Sequence, residues 1–410
     1  MSLLPRPLDA PLPTGMRDRL PHEAEARRAL IDRVLRDARG WGYVLIDPPS
    51  FEFASVLERG LPGAEAGDVL RFVEPESGEI AALRPDVTPQ IARILATRMR
   101  HAPPPIRLMY VAGVVRRAGV AWGAHREVAQ FGVELAGPSG PLGDLELVAL
   151  ADSLLAGEHP TGLTLDLGDA QILEGLLGSV GLPERMTLQT ALHRRDRRAI
   201  GELAPVLPDG VASVLDALLD LPEAPEAFAA ARTLLAPWAD AVRALCRLEM
   251  LVGLVRRAEL RATLRVDLAT VRGFSYYTGA TFQFFAAGAA DALVSGGRYD
   301  TLVSRYGREL CSSGFAVDLE RLSQASTKAA AAFPLRVIVV GAEAFVAARD
   351  LRRAGLVAIH GEGATDPDAD FILDEDSFTR RTTGMRIFAE NPAQALLAHL
   401  RSAAVEAAYG

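Results

Sequence analysis

The segment LRPDVT, residues 83–88, places a carboxylate and a hydroxyl directly after a proline. Because the proline ring restricts the backbone, Asp86 and Thr88 can both point into one cavity. An ammonium group requires such acceptors, since it carries three donors and no acceptor. The same residues could instead begin a helix, with Asp86 or Thr88 as N-cap and Pro89 as its first residue. On the residues alone, the helix start is favoured.

A second segment, VRGFSYYTG at residues 271–279, combines an arginine with paired tyrosines and flanking glycines. The rings of Tyr276 and Tyr277 could line a pocket for a flat group, while the Arg272 guanidinium meets a carboxylate. An ordinary strand and turn with aromatic core residues would show the same residue types. The segment alone therefore leaves both interpretations open.

Two further segments lie towards the end of the same region: SGGRYD at residues 295–300 and SGFAVDLERL at residues 313–322. The glycines permit close approach of the backbone to a ligand, although a tight turn would use them equally well. In the second segment Asp318 precedes a helical pattern. It could be a solvent-facing N-cap of that helix.

The run VRRAGVAWGAHREVAQFGVE, residues 115–134, carries the most information. A strand-like segment ends in Arg116, and after a loop the chain returns through Arg126, Glu127, Gln130 and Glu134. This order predicts a long hairpin whose returning strand carries polar residues into a site.

Together, these segments resemble the motifs of the histidyl-tRNA synthetase family, which belongs to the class II aminoacyl-tRNA synthetases. LRPDVT resembles the family's LRPEGT, VRGFSYYTG its VRGLDYYTG, SGGRYD its GGGRYDxL, and SGFAVDLERL its motif 3, GFAIGLERL. Residues 115–134 resemble motif 2, and PTGMRDRLP at residues 13–21 resembles the family's PRGTxDxLP opening. The resemblance covers roughly residues 12–325 and occurs in the family's order.

The resemblance implies a histidine site in which Asp86 and Thr88 hold the ammonium group and Arg272 the carboxylate. Glu134 and the tyrosines would contact the imidazole. Positions that match the family's histidine contacts are Asp86, Thr88, Arg116, Gln130, Glu134, Arg272, Tyr276 and Tyr277.

The departures from the family pattern fall on the ATP side. Arg116 and Arg321 are retained, but Ala118 and Ala124 replace an acidic residue and an arginine of motif 2, and Asp318 replaces a glycine. Adenylation needs positive groups around an in-line phosphate transition state, and a carboxylate near a polyphosphate opposes binding. The sequence therefore predicts a degenerate ATP site and a protein that is not an enzyme.

The resemblance extends to the non-catalytic branch of this family, the regulators of ATP phosphoribosyltransferase. It implies assembly with the short-form catalytic subunit, which catalyses the first step of histidine biosynthesis, and transmission of feedback inhibition by L-histidine. It further implies a homodimer within a larger hetero-oligomer, and no tRNA partner. Two alternatives are an active histidyl-tRNA synthetase with a divergent motif 2 and a stand-alone or kinase-linked histidine-sensing module.

The resemblance implies an α+β fold in which a class II synthetase-like antiparallel sheet is flanked by helices. Apolar spacing predicts a helix over 16–40, a hairpin over 70–84, a helix over 89–100 and strands over 106–135. We expect a core over residues 1–325 with a helical insertion over about 168–262. A linker then leads to a small C-terminal α/β domain over residues 334–410.

Composition narrows the possible environments and partners. The chain has 410 residues, two cysteines and a formal net charge of −8, and no apolar run predicts a membrane span. Prolines near the start argue against a signal peptide, so we expect a cytoplasmic protein without metal or cofactor. Residues 334–410 contain eight arginines and eleven acidic residues, which argues against an RNA-binding face there.

Overall fold

The computed structural model describes residues 12–13, 15–61, 69–115, 126–158, 160–178, 180–269, 276–289, 291–327, 335–341, 344–360, 366 and 368–409. The chain divides into two compact units between residues 328 and 329. In the larger unit the helices are α1 (Pro21–Gly40), α2 (Ala54–Leu57), α3 (Thr88–Ala96), α4 (Pro141–Glu158), α5 (Ala170–Leu177), α6 (Leu182–His193), α7 (Arg197–Leu203), α8 (Val211–Asp220), α9 (Phe228–Leu235), α10 (Ala239–Arg257) and α11 (Leu319–Ala325).

The strands of the larger unit form two sheets. Their bounds are β1 (Val44–Leu45), β2 (Phe51–Phe53), β3 (Arg71–Val73), β4 (Ile80–Leu83), β5 (Ile106–Val115), β6 (Glu127–Ala136), β7 (Thr164–Asp169), β8 (Thr263–Val266), β9 (Ala280–Phe285), β10 (Val294–Arg298) and β11 (Ser312–Asp318). The main sheet has eight strands in the order β1-β5-β6-β11-β10-β9-β7-β8. Neighbouring strands are antiparallel except in the pairs β1–β5 and β7–β8. The predicted α+β class is confirmed.

Side chains alternate between the two faces of the main sheet, as the pleat of a strand requires. On β6, Phe131, Val133 and Leu135 are fully buried in the apolar core that the sheet shares with α1, α4 and α10. Gln130 and Glu134 occupy the alternate positions of the same strand and therefore point to the opposite face. The polar face is where the sequence-predicted site lies.

A smaller sheet, in the order β2-β4-β3, leads into the site. Directly after β4, the buried Arg84 donates hydrogen bonds from Nε to the carbonyl of Gly113 at 2.8 Å and from Nη1 to that of Pro48 at 2.7 Å. These bonds hold the segment that follows, residues 85–88, against β5. The position of Asp86 and Thr88 therefore depends on this buried guanidinium.

The smaller unit is an α/β domain. It contains β12 (Arg336–Val339), α12 (Ala344–Arg353), β13 (Val357–His360), β14 (Phe371–Leu373), β15 (Ser377–Arg380), β16 (Arg386–Phe388) and α13 (Pro392–Tyr409). Its sheet has the order β13-β12-β14-β15-β16, with β12 parallel to both neighbours. Leu351 of α12 and Leu396 of α13 are fully buried in its core.

Several predicted boundaries were wrong for local reasons. The first helix begins at Pro21 rather than at residue 16, because Leu20 precedes a proline and adopts an extended conformation. The helix predicted over 89–100 ends at Ala96. Sequence patterns did not identify β2, β15 or α13.

No helix in the described part of the chain is both long and apolar enough to cross a membrane.

Candidate functional site

A cavity of about 410 Å³ lies on the polar face of the main sheet. It is lined by Pro85, Asp86, Thr88, Gln130, Tyr276, Tyr277, Ser295, Tyr299, Gly314, Phe315 and Ala316. The volume falls in the range typical of small-molecule sites, about 300–1,000 Å³. Each of the four short sequence segments, residues 83–88, 271–279, 295–300 and 313–322, contributes two or more lining residues. The returning strand of the hairpin contributes Gln130.

The segment begins helix α3 at Thr88, but neither Asp86 nor Thr88 caps this helix. The start of α3 has no side-chain cap, and Asp86 Oδ1 accepts a hydrogen bond from the backbone N–H of Val87 at 2.8 Å. Thr88 Oγ1 instead donates to Glu134 Oε1 at 2.7 Å. The helix start is therefore confirmed, its proposed side-chain caps are wrong, and Thr88 connects α3 to β6.

Glu134 is a deeply buried carboxyl group, 4% exposed. Burial raises its pKa well above the ordinary value, and the nearby Asp86 carboxylate raises the pKa further, against the lowering effect of the Thr88 hydrogen bond. A carboxyl group in this state can donate as well as accept a hydrogen bond. It therefore suits a ligand nitrogen that exists in either protonation state.

The tyrosines form an aromatic wall. The ring centroids of Tyr276 and Tyr277 lie 5.2 Å apart in an edge-to-face arrangement, and those of Tyr276 and Tyr299 lie 5.2 Å apart at an interplanar angle of 45°. Burial, followed by the charges of Asp86 and Glu134, raises the pKa of the Tyr276 phenol well above its usual range. The hydroxyl therefore remains protonated and available as a donor.

Two further polar atoms are buried at the cavity. Gln130 Oε1 and the Tyr299 hydroxyl make no hydrogen bond with any described residue, although these side chains are only 6% and 4% exposed. An unsatisfied buried polar group costs about 1–3 kcal/mol, and such groups are uncommon in protein interiors. Their position in a cavity leaves them accessible to a polar ligand or to water.

Two glycines make room for this arrangement. A Cβ atom at Gly314 would lie 2.4 Å from both Glu134 Oε2 and the Tyr299 hydroxyl oxygen. A Cβ atom at Gly132 would lie 2.3 Å from the ring of Tyr110, which is itself fully buried. Larger residues would displace the polar groups that line the cavity.

The predicted ATP side contains an arginine that is already paired. Arg321 contacts two carboxylates, with Nη2 3.0 Å from Asp291 Oδ2 and Nε 3.3 Å from Asp318 Oδ2. Asp318 also caps α11, because it accepts hydrogen bonds from the backbone N–H groups of Glu320 and Arg321. The capping alternative is therefore confirmed, and the same carboxylate neutralises the arginine. A phosphate would have to compete with both carboxylates for Arg321.

Some predicted site residues lie outside the described residues: Arg116, Ala118, Ala124 and Arg272. Of the predicted histidine contacts, the structure brings together Asp86, Thr88, Gln130, Glu134, Tyr276 and Tyr277. No group of three or more potential metal ligands occurs among the described residues.

Tyr299 and Ser295 line the cavity, although sequence patterns did not identify them as site residues. Both belong to the SGGRYD segment, which drew attention only for its glycines. Because side chains alternate along a strand, Ser295, Gly297 and Tyr299 all face the cavity side. This alternation in the sequence could have identified Ser295 and Tyr299 as site residues.

Substitution of Glu134 tests whether the buried carboxyl group holds a proton. A raised folded-state pKa means that stability falls as the pH rises from the unfolded pKa, about 4.3, towards the folded value. Glu134→Gln removes this titration. The variant should therefore be more stable than the wild type at pH 8, by on the order of 1 kcal/mol, and the difference should shrink at pH 5. Urea unfolding at both pH values measures the difference in the free energy of unfolding, with Glu76→Gln on the exposed β3–β4 turn as control. An equal difference at the two pH values would refute the assignment.

Comparison with known proteins places this chain in a family. Residues 15–322 match the model of the histidyl-tRNA synthetase family. A protein from Syntrophotalea carbinolica named ATP phosphoribosyltransferase regulatory subunit is 36% identical over 81% of this chain and 79% of its own length. A protein of the same name from Anaeromyxobacter dehalogenans is 41% identical over 78% of this chain and 92% of its own.

A solved structure gives the same result. It is described as an ATP phosphoribosyltransferase regulatory subunit/histidyl-tRNA synthetase from Bacillus halodurans and superimposes with a TM-score of 0.77 at 25% identity. The match covers 90% of this chain and 99% of that one. From motif order, cavity, fold and these matches together, the chain belongs to the histidyl-tRNA synthetase family, and its curated relatives carry the name of a regulatory subunit.

Proposed function

We propose that this protein is the non-catalytic regulatory subunit of ATP phosphoribosyltransferase. In this proposal it assembles with the short-form catalytic subunit, is required with it for the first step of L-histidine biosynthesis, and binds histidine as the feedback inhibitor. The observation that carries the proposal is the buried Thr88–Glu134 pair beside Asp86, in a cavity of a chain whose relatives bear that name.

The chemistry of the cavity matches the groups of histidine. Asp86 and Thr88 supply acceptors for the ammonium group, and Glu134 with the tyrosine hydroxyls supplies partners for the two imidazole nitrogens. Arg272 is proposed to bind the carboxylate, because it matches the catalytic arginine of the family. Histidine would regulate the complex by favouring one assembly state, with a coupling free energy of about 1–3 kcal/mol.

The absence of catalysis is supported by the pairing of Arg321 with Asp291 and Asp318. An arginine that already pairs with two carboxylates is less available to stabilise the negative charge of a phosphate transition state. Ala118 and Ala124 remove two further polar contacts from the same half of the site.

A homodimer is supported by the exposed face of the small sheet. Phe51, Phe53 and Phe72 share one face of β2, β4 and β3 and are 45%, 40% and 37% exposed. The ring centroids of Phe51 and Phe72 lie 5.2 Å apart. Exposed aromatic patches of this kind mark interfaces, and a second copy that presents the same face would cover it in a two-fold pair.

The regulatory role predicts that enzyme activity requires two different chains. Phosphoribosyl transfer to ATP should need both this chain and the short-form catalytic subunit, and L-histidine should inhibit the pair.

Thr88→Val removes the hydrogen bond to Glu134, so the histidine concentration for half inhibition should rise about tenfold, equivalent to about 1.4 kcal/mol. Thr97→Val, at the exposed end of α3, should leave that concentration unchanged. Unaltered inhibition in Thr88→Val would count against the proposed site.

The non-catalytic assignment predicts that the chain supports no histidine-dependent exchange between ATP and pyrophosphate, because Ala118 and Ala124 replace polar residues of motif 2 and Arg321 is paired with Asp291 and Asp318. A complete histidyl-tRNA synthetase assayed in parallel provides the positive control. Exchange at a rate comparable to that of the complete synthetase would contradict the non-catalytic assignment.

The dimer proposal predicts that a charge at the phenylalanine face disrupts self-association. Phe53→Glu should shift sedimentation from dimer to monomer, because a carboxylate would be buried without a partner. Val206→Glu, at a position 52% exposed in the helical insertion, is the matched control and should remain dimeric. A dimeric Phe53→Glu variant would exclude this face as the interface.

A further inference from the structure

One arginine of the SGGRYD segment, Arg298, lies behind the cavity rather than in its lining. Because its neighbour Tyr299 faces the cavity, Arg298 faces the helices, and it is 5% exposed at the end of β10. Its Nη2 lies 2.7 Å from Asp144 Oδ1 in the first turn of α4, and its Nε lies 3.3 Å from Asp144 Oδ2. Nη1 donates to the carbonyl of Pro138 at 2.9 Å. We call the pair the Arg298–Asp144 anchor, since it ties the end of β10 to the start of α4.

The backbone of Arg298 is bonded to the segment that carries the other cavity tyrosines. The carbonyl of Arg298 accepts a hydrogen bond from the N–H of Thr278 at 2.7 Å, and the N–H of Asp300 donates to Thr278 Oγ1 at 2.7 Å. The Arg298 guanidinium also donates to Asp300 Oδ1 at 3.1 Å. These bonds join the two segments that form the aromatic wall. The 5.2 Å separation of the Tyr276 and Tyr299 rings therefore depends on where Arg298 is held.

The anchor is an ion pair in an otherwise apolar layer, where Leu147 and Leu150 of the same helix are fully buried. Moving a guanidinium and a carboxylate out of water offsets much of their attraction, and apolar side chains of similar volume often stabilise a fold as well or better. The directional bonds of such a pair do, however, specify one position for the two elements that they join. Placement of β10 against α4 therefore explains the anchor better than stability does.

We infer that Arg298 is a positioning residue for the proposed histidine site, and that its pair with Asp144 sets the separation of the tyrosine rings around the imidazole. The inference rests on the proposed function. Contacts to a ligand are effective only when they are held within about 0.5 Å of the productive geometry, and the residues behind them supply that precision. The Tyr299 hydroxyl, which makes no hydrogen bond with a described residue, makes the effect measurable, because its contribution to binding depends on where the ring lies.

The test replaces the anchor with apolar residues and measures the affinity of the intact chain for L-histidine by calorimetric titration. Arg298→Met/Asp144→Val removes both charges together, so its midpoint of urea unfolding should stay close to that of the wild type. Its affinity for histidine should be weaker by about tenfold or more. The matched control is Arg33→Met/Glu158→Leu, which removes a pair at the other end of α4 whose Nε and Oε1 atoms lie 2.7 Å apart. This control should bind histidine within about twofold of the wild type.

A double-mutant cycle distinguishes positioning from a general loosening of the fold. Tyr299→Phe alone should weaken histidine binding about tenfold, but only about twofold or less in the Arg298→Met/Asp144→Val background, because the displaced hydroxyl no longer contributes. If the two losses instead multiply, the anchor and Tyr299 act independently and the inference is overturned. Thr278→Val removes the acceptor of the Asp300 N–H and provides the same cycle if the anchor variant does not fold.

The outcomes separate this inference from the function on which it rests. If the wild type does not bind histidine, the proposed histidine site and the inference both fall. If the wild type binds histidine and the folded Arg298→Met/Asp144→Val variant binds it equally well, only the inference is overturned. Weaker binding together with a diminished effect of Tyr299→Phe supports it.

Discussion

The alternation of side chains along β6 is the constraint on which the site depends. Phe131, Val133 and Leu135 must face the helices to form the core, so Gln130 and Glu134 must face the opposite side. A shift of one residue in the pairing with β5 or β11 would place a carboxyl group in the core and expose phenylalanine. Burial of the apolar face therefore fixes the strand register, and this register fixes the positions of the polar groups that line the cavity.

The proposed histidine side and the predicted ATP side differ in how their polar groups are paired. On the side of Thr88 and Glu134, polar groups are buried with few partners, which costs stability and indicates a function that needs them. On the side of Arg321, positive charge is neutralised by Asp291 and Asp318 within the chain. Buried polar groups at the cavity, together with an Arg321 that is paired within the chain, are consistent with the proposed recognition of an amino acid without its activation.

Motifs with unusual residue combinations predicted the fold class and most of the cavity. Asp86, Thr88, Gln130 and the tyrosine pair were found because the segments that contain them are distinctive. Tyr299 was missed because glycines obscured the alternation of its strand, and Asp291 because its contact with Arg321 joins separate segments through tertiary structure. The predicted start of the first helix was wrong because the effect of a proline on its preceding residue outweighs apolar periodicity.

Calorimetric titration of the intact chain with L-histidine is the decisive test of the proposed histidine site. We expect saturable binding of one histidine per chain in the absence of ATP, and at least tenfold weaker binding to Asp86→Ala, because the ammonium group loses its charged acceptor. No heat of binding at millimolar histidine, or equal affinity of the wild type and Asp86→Ala, would contradict it.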